Sequence, residues 1–299
     1  MLNYDSIKEL VETALRSKKN ISDIVLSDQA IQLNKTADEI YDVMRLNLKV
    51  MQEAIENGVN TSVKSPSGLS GGDAYKMRQA VEQNKIFTGS VLAKALSNAL
   101  AVAEVNACMG RIVAAPTAGS CGILPAVLVT LQQERNIPER KVVMSLFTAA
   151  AIGMIIAKKA SISGAEGGCQ AECGSASGMA AAAAVEILGG TPHMAAQACA
   201  IALKNILGLV CDPVAGLVEV PCIKRNASGA ANALIATEMA LAGIESAIPA
   251  DEVIEAMDQI GLNMPQSLKE TAEGGLAATP TGQKIADSLK HCEKVELLT

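Results

Sequence analysis

The sequence predicts an all-α protein, a single compact Ala-rich multi-helix domain with buried central helices and Gly/Pro-shaped loops that carry cysteines. Three observations lead to it. Apolar residues recur at helical spacing or fill long Ala-rich runs, and no stretch alternates strictly over the length of a strand. Hydrophobic residues make up 49% of the 299 positions, yet aromatics are only 2% and Trp is absent, so the apolar mass is Ala, Val, Ile, Leu and Met. Small side chains let helices approach closely, and Ala is the strongest helix former. Charged residues are 19%, below the roughly 25 per cent of an average chain, which points to surface buried against a partner chain.

Residues 1–60 read as a polar helical cover. A first helix over 6–18 places Ile7, Leu10, Val11 and Leu15 on one stripe. Ser22 is placed to cap a short helix from Asp23. A longer amphipathic helix over 36–57 aligns Ile40, Val43, Met44, Leu48, Met51 and Ile55, and Gly58 ends it. A Ser/Gly loop follows at 61–75, then a long Ala-rich helical region over 81–113. A turn at 115–122 opens an apolar helix from Ile123. Residues 142–160 form the buried helix, whose apolar run ends short of the ~20 residues that cross a bilayer. A cysteine loop at 163–172 leads to a helix over 179–188. Thr191 and Pro192 read as N-cap and first residue of a helix over 193–207, with His193 on its surface. Helices over 227–243 and from Pro249 to Gly261 follow, then a segment from Pro265 with a short charged tail.

Composition excludes several classes. The net charge is −6 and no basic run offers a phosphate track, so nucleic acid is not a partner. No basic-then-apolar leader opens the chain, and no Gly-rich nucleotide fingerprint follows a strand. Eight cysteines in a chain this long do not form a secreted disulfide scaffold. They fit a reducing cytoplasm, with no membrane association.

Residues 211–226, CDPVAGLVEVPCIKRN, are the stretch around which the chemistry is organised. Pro213, Gly216 and Pro221 work against a regular helix and put Cys211 and Cys222 on shaped loop. Cys169 follows Gly164, Gly167 and Gly168, where backbone can approach a bulky group. The three thiols are either small buried hydrophobes or soft-metal ligands. The loop at 61–75 is either a linker or a holder of a carboxylate through Ser65, Ser67 and Gly68. The turn at 115–122 is either a plain N-cap or an anion site built from Thr117, Gly119 and Ser120. Lys224, Arg225 and Asn226 are either surface residues or neighbours of whatever the thiols hold.

The segments APTAGSCG (115–122), GAEGGCQAE (164–172) and 211–226 resemble the iron–sulfur-dependent L-serine dehydratases of bacteria, more narrowly the alpha subunit of the two-subunit form. PSGLSGG (66–72) and EGGLAATPTG (273–282) extend the likeness over most of the chain beyond the first sixty residues. The resemblance implies that Cys169, Cys211 and Cys222 ligate a [4Fe–4S] cluster, and that 61–299 is the cluster- and substrate-binding core. Three protein ligands leave one iron open as a Lewis acid. The implied reaction converts L-serine to pyruvate and ammonia, with a beta subunit completing the assembly. Substrate contacts are implied for Ser65, Ser67, Gly68, Thr117, Gly119, Ser120, Arg225 and Asn226. Lys224, Glu166 and Glu172 are candidates for the base, none singled out by spacing. Cys173, four residues after Cys169, and Cys292 near the end are alternative fourth ligands. A cluster-dependent L-cysteine desulfidase and a non-enzymatic iron–sulfur sensor are the competing readings.

Overall fold

The computed structural model describes residues 4–296, with side chains through 291. It is all-α: among the described residues there is no strand, and one isolated parallel bridge joins Cys211 to Lys269. Ser6 caps α1 (Ile7–Ser17) by accepting from the Glu9 N–H, and the Asp251 carboxylate accepts from the next free N–H groups, of Ile7 and Lys8, at 3.0 Å. Helix α2 (Ile21–Leu33) starts earlier than the sequence suggests. Its cap is Asn20, in a capping box with Asp23, and Ser22 lies inside. Thr36 and Glu39 form the same box at the start of α3 (Ala37–Asn60). Gly58 does not end that helix. A Cβ there would lie 2.4 Å from the Ala101 carbonyl oxygen, so the glycine serves close helix packing rather than a cap.

The region expected as one helix over 81–113 divides into α4 (Asp73–Glu82) and α5 (Ser90–Ala107), separated by residues 83–89. Next come α6 (Ile123–Arg135), α7 (Glu139–Lys159) and the short turn α8 (Gly164–Gly167). A π turn (Gln170–Gly174) runs into α9 (Ser175–Ile187), which therefore starts before Met179. Thr191 caps α10 (Pro192–Lys204) as expected. Helix α11 (Cys222–Leu241) begins at the cysteine itself, not after it, because Pro221 stands outside the first turn and no breaker follows. Helix α12 (Ala250–Asn263), two 3₁₀ turns and α13 (Pro280–Glu296) complete the chain, so the segment taken for a charged tail is largely helical.

Helix α9 lies at the centre, packed by α7, α10, α11 and α6. Its residues from Ser175 to Val185 are all buried, which only an almost all-Ala helix permits with neighbours on every side. Helix α7 is long and apolar enough to cross a membrane, but most of its apolar window is buried within the protein, with Val142, Leu146, Ile152 and Ile156 in the core. The first three helices pack outside this centre: α1 on α10 and α12, α2 on α7, and α3 on α5 and α7. The centre thus holds the C-terminal end of α7, the π turn and the start of α11 in fixed relation.

Candidate functional site

Three thiols meet where these elements end. Cys169 precedes the π turn, Cys211 lies in the chain between α10 and α11, and Cys222 is the first residue of α11. All are buried, at 3%, 3% and 9% exposure. Cys211 is pinned by strand-like pairing to the segment after α12: its N–H donates to the Leu268 carbonyl at 2.9 Å, and its own carbonyl accepts from the Glu270 N–H at 2.8 Å. The Gly164 backbone forms one wall. A Cβ there would meet Glu172 Oε2 at 2.9 Å, Cys211 Sγ at 3.0 Å and Glu270 Oε2 at 3.1 Å. A thiol and two carboxylates therefore converge on one glycine.

The electrostatics follow from that convergence. Burial pushes the Cys222 thiol up to about 12, and the neighbouring Cys169 adds to the rise. Burial also raises Cys211, reinforced by Cys169 and Glu270. Cys169 is held below the ordinary thiol range, first by the hydrogen bond from Cys173, whose Sγ is 3.3 Å away, and then by Arg225. The Arg225 guanidinium is the counter-charge. It donates to the Val210 carbonyl at 2.8 Å and lies 2.8 Å from Asp212 Oδ1. Asp212 Oδ2 in turn accepts from the Leu276 N–H at 2.7 Å, which ties the segment after α12 to the thiol loop. Burial raises the Glu172 carboxyl, against a hydrogen bond from Thr117 that lowers it.

Soft, buried thiols that repel one another and sit beside two carboxylates with one guanidinium suit a cationic soft-metal group. Among the described residues no three His, Cys, Asp or Glu side chains gather tightly enough for a single ion.

The turn at 115–122 faces the same place. Thr117 reaches Glu172, and a Cβ on Gly119 would lie 3.2 Å from both Glu172 oxygens. Ser120 is fully buried, with Oγ 3.1 Å from that of Thr117. Asn226 was expected at the substrate, but its amide is already committed. Oδ1 accepts from the Gly122 N–H at 2.8 Å, and Nδ2 donates to the carbonyls of Gly119 at 2.8 Å and Cys222 at 3.0 Å. Asn226 therefore positions the turn against α11. Replacing it by Ala removes three hydrogen bonds, two of them buried; Asn226→Ala is expected to lower stability by about 1–3 kcal/mol in urea unfolding.

Ser65 and Ser67, expected at a substrate carboxylate, bind one of the chain's own. Their hydroxyls donate to Glu219 Oε2 at 2.6 Å and Oε1 at 2.7 Å, and Ser70 donates to Oε2 as well. Gly68 has φ +74 and supplies the turn that aligns them.

Two of the base candidates are not brought to the thiols. Lys224 is 74% exposed and pairs with Asp73 at 3.0 Å. Glu166 is exposed on α8 and lines a separate cleft with Asp258 and Lys269. Glu172 alone lies among them. Cys121 and Cys199 are core thiols, and His193 is a surface residue paired with Glu245. The Cys292 side chain lies outside the described residues. Sequence reasoning missed Glu270, Asp212, Glu219 and Ser70. Asp212, Glu219 and Ser70 stand inside the quoted motifs, but nothing in their local pattern marks a contact.

The chain belongs to the serine dehydratase alpha chain family, whose model matches residues 16–277. It is 52% identical over 282 residues to the probable L-serine dehydratase, alpha chain, of Bacillus subtilis (strain 168), covering 94% of each chain. It is 45% identical to the L-serine dehydratase, alpha chain, of Peptoniphilus asaccharolyticus, covering 97% of this chain and 99% of that one. To the L-serine dehydratase TdcG of Escherichia coli (strain K12) it is 43% identical over 77% of this chain, a match that takes up 52% of that protein.

Proposed function

We propose that the protein is the alpha subunit of a cytoplasmic enzyme that deaminates L-serine to pyruvate and ammonia, with a [4Fe–4S] cluster held by Cys169, Cys211 and Cys222. The observation that carries this reading is the convergence of three buried thiols, Glu172 and Arg225 in a chain of this family. The seven described cysteines are all free, which supports a reducing compartment. The alpha-chain names of the relatives, and the half-length match to the E. coli protein, support a beta subunit as partner.

The cluster, when bound, supplies a Lewis acid that turns the β-hydroxyl into a leaving group. The residues of this chain do the rest. Arg225, held by Asp212, balances the thiolate charge. Glu172 takes the α-proton, with Thr117 orienting its carboxylate. The C–O electron pair leaves with the hydroxyl as the α C–H pair forms the double bond. The aminoacrylate released then tautomerises and hydrolyses to pyruvate and ammonia. Cys173 backs Cys169 through the 3.3 Å thiol contact. We take helices α1–α3 as a cover on a single working unit.

The test is anaerobic reconstitution with iron and sulfide, with and without a beta subunit. A broad visible absorbance, and pyruvate from L-serine only when both subunits are present, is the expected result. Turnover of L-cysteine in preference to L-serine moves the assignment to a desulfidase. A cluster without turnover moves it to a sensor.

A further inference from the structure

Glu270 lies at the thiol site but takes no part in the proton transfer assigned to Glu172. Cys211 fixes its place. The Glu270 N–H donates to the Cys211 carbonyl at 2.8 Å, and the Cys211 N–H donates to the Leu268 carbonyl at 2.9 Å. The Glu270 side chain then reaches the same point as Glu172. A Cβ on Gly164 would meet Glu172 Oε2 at 2.9 Å, Cys211 Sγ at 3.0 Å and Glu270 Oε2 at 3.1 Å, so two carboxylates and a thiol close over one bare Cα. Burial raises the Glu172 carboxyl, and the Glu270 charge adds to the rise. Glu172 is partly buried and Glu270 exposed, so the pair runs from the inside of the site to solvent.

The two carboxylates lack a cation. Among the described residues no lysine, arginine or histidine pairs with either one. Arg225 is taken by Asp212 and the Val210 carbonyl. The hydrogen bond that Glu172 receives comes from Thr117, a neutral hydroxyl. Two like charges this close repel, and a small cation between them relieves the repulsion. An α-amino acid carries that cation on the reacting carbon. Its ammonium and its α-hydrogen are bonded to one atom, so a carboxylate that receives the ammonium stands next to the one that takes the proton. Glu270 and Glu172 stand in that relation across Gly164. An α-hydroxy acid of the same size offers a neutral O–H there and forgoes the charge attraction.

We propose that Glu270 is a specificity-determining residue that receives the α-ammonium of the substrate beside Glu172, and so selects α-amino acids over α-hydroxy acids. The proposal rests on the L-serine reading above.

Two ligands and one side chain test it. L-Alanine keeps the ammonium and lacks a leaving group; L-lactate has a hydroxyl in the ammonium's place. Glu270→Gln is compared with the wild type in the reconstituted two-subunit enzyme, by kinetics with L-serine and by calorimetric titration with L-alanine and L-lactate. The KM for L-serine and the Kd for L-alanine are expected to rise by roughly 10–100-fold, the worth of one hydrogen bond between charged groups. The kcat and the Kd for L-lactate are expected to change by less than about threefold, as for lost ground-state binding of one group. A wild type that binds L-alanine no better than L-lactate overturns the proposal. Equal weakening of both ligands also overturns it, because the residue then only shapes the pocket. An unchanged KM with loss of kcat and of α-proton exchange makes Glu270 a base instead, and no change at all leaves it no role; either result overturns the proposal. Glu270→Gly guards against a folding defect. Glu270 has φ +46, which glycine takes readily, so this variant removes the carboxylate without backbone cost. It is expected to match the wild type in circular dichroism and to lose the preference for L-alanine over L-lactate; a retained preference overturns the proposal. Should the wild-type enzyme form no pyruvate, the L-serine reading fails by itself, and the titrations still decide whether Glu270 receives an ammonium.

Discussion

Replacing Cys211 by Ser in the reconstituted enzyme is expected to abolish the visible cluster absorbance and to cut pyruvate formation by on the order of 10³-fold or more, since Lewis-acid assistance is worth several kcal/mol at the transition state. The same loss is expected for Cys169→Ser and Cys222→Ser. Serine nearly preserves volume but exchanges a soft sulfur for a hard oxygen. The effect on folding is expected to be smaller than the effect on the cluster. Cys211 is held by backbone pairing to Leu268 and Glu270, which the substitution leaves in place. Far-ultraviolet circular dichroism of the three variants should therefore match the wild type while iron content falls. Cys173→Ser separates the two neighbouring thiols. It exchanges the S–H beside Cys169 for an O–H donor and leaves Arg225 in place, so the cluster should persist with altered stability. Full iron content and full activity in Cys169→Ser, with loss of both in Cys173→Ser, would transfer the ligand role to Cys173.

Glu172→Gln is expected to lower kcat by roughly 10²–10⁴-fold with little change in KM, the range for loss of a general base. Gln preserves length and can still receive the Thr117 hydroxyl, so the turn at 115–122 should stay in place. The base assignment makes a second, independent demand. In deuterated buffer the wild type should exchange the α-proton of substrate or of a non-eliminating analogue, and Glu172→Gln should not. Glu166→Gln is the control: the exposed position of Glu166 on α8 predicts unchanged kcat. A normal exchange rate in Glu172→Gln would remove the base role and turn attention to Glu270, whose carboxylate shares the Gly164 wall.

The different surroundings of Glu166 and Glu172 show where sequence reasoning stops. Both stand in the motif at 164–172, and spacing favours neither. The π turn at Gln170–Gly174 swings Glu172 inward under Thr117, while the short turn of α8 leaves Glu166 facing water. Similarly, Ser65 and Ser67 could be read as candidate carboxylate holders because hydroxyls on a Gly-rich turn have that chemistry whatever surrounds them, whereas Ser70 was missed. Which carboxylate they hold was not legible. Glu219 comes from about 150 residues further along the chain.

By itself the sequence determined the all-helical class, the cap at Thr191, the burial of α7 and the family. Each of these rests on local periodicity, capping chemistry or a contiguous motif, so a few neighbouring residues suffice to carry it. Only the tertiary structure decided the contacts of Asn226, Lys224, Glu172, Glu219 and Glu270. A side chain's role depends on which donors, acceptors and charges reach it from segments far apart in the chain. Here the packing around α9 sets that convergence, bringing α8 against the π turn and the π turn against α11.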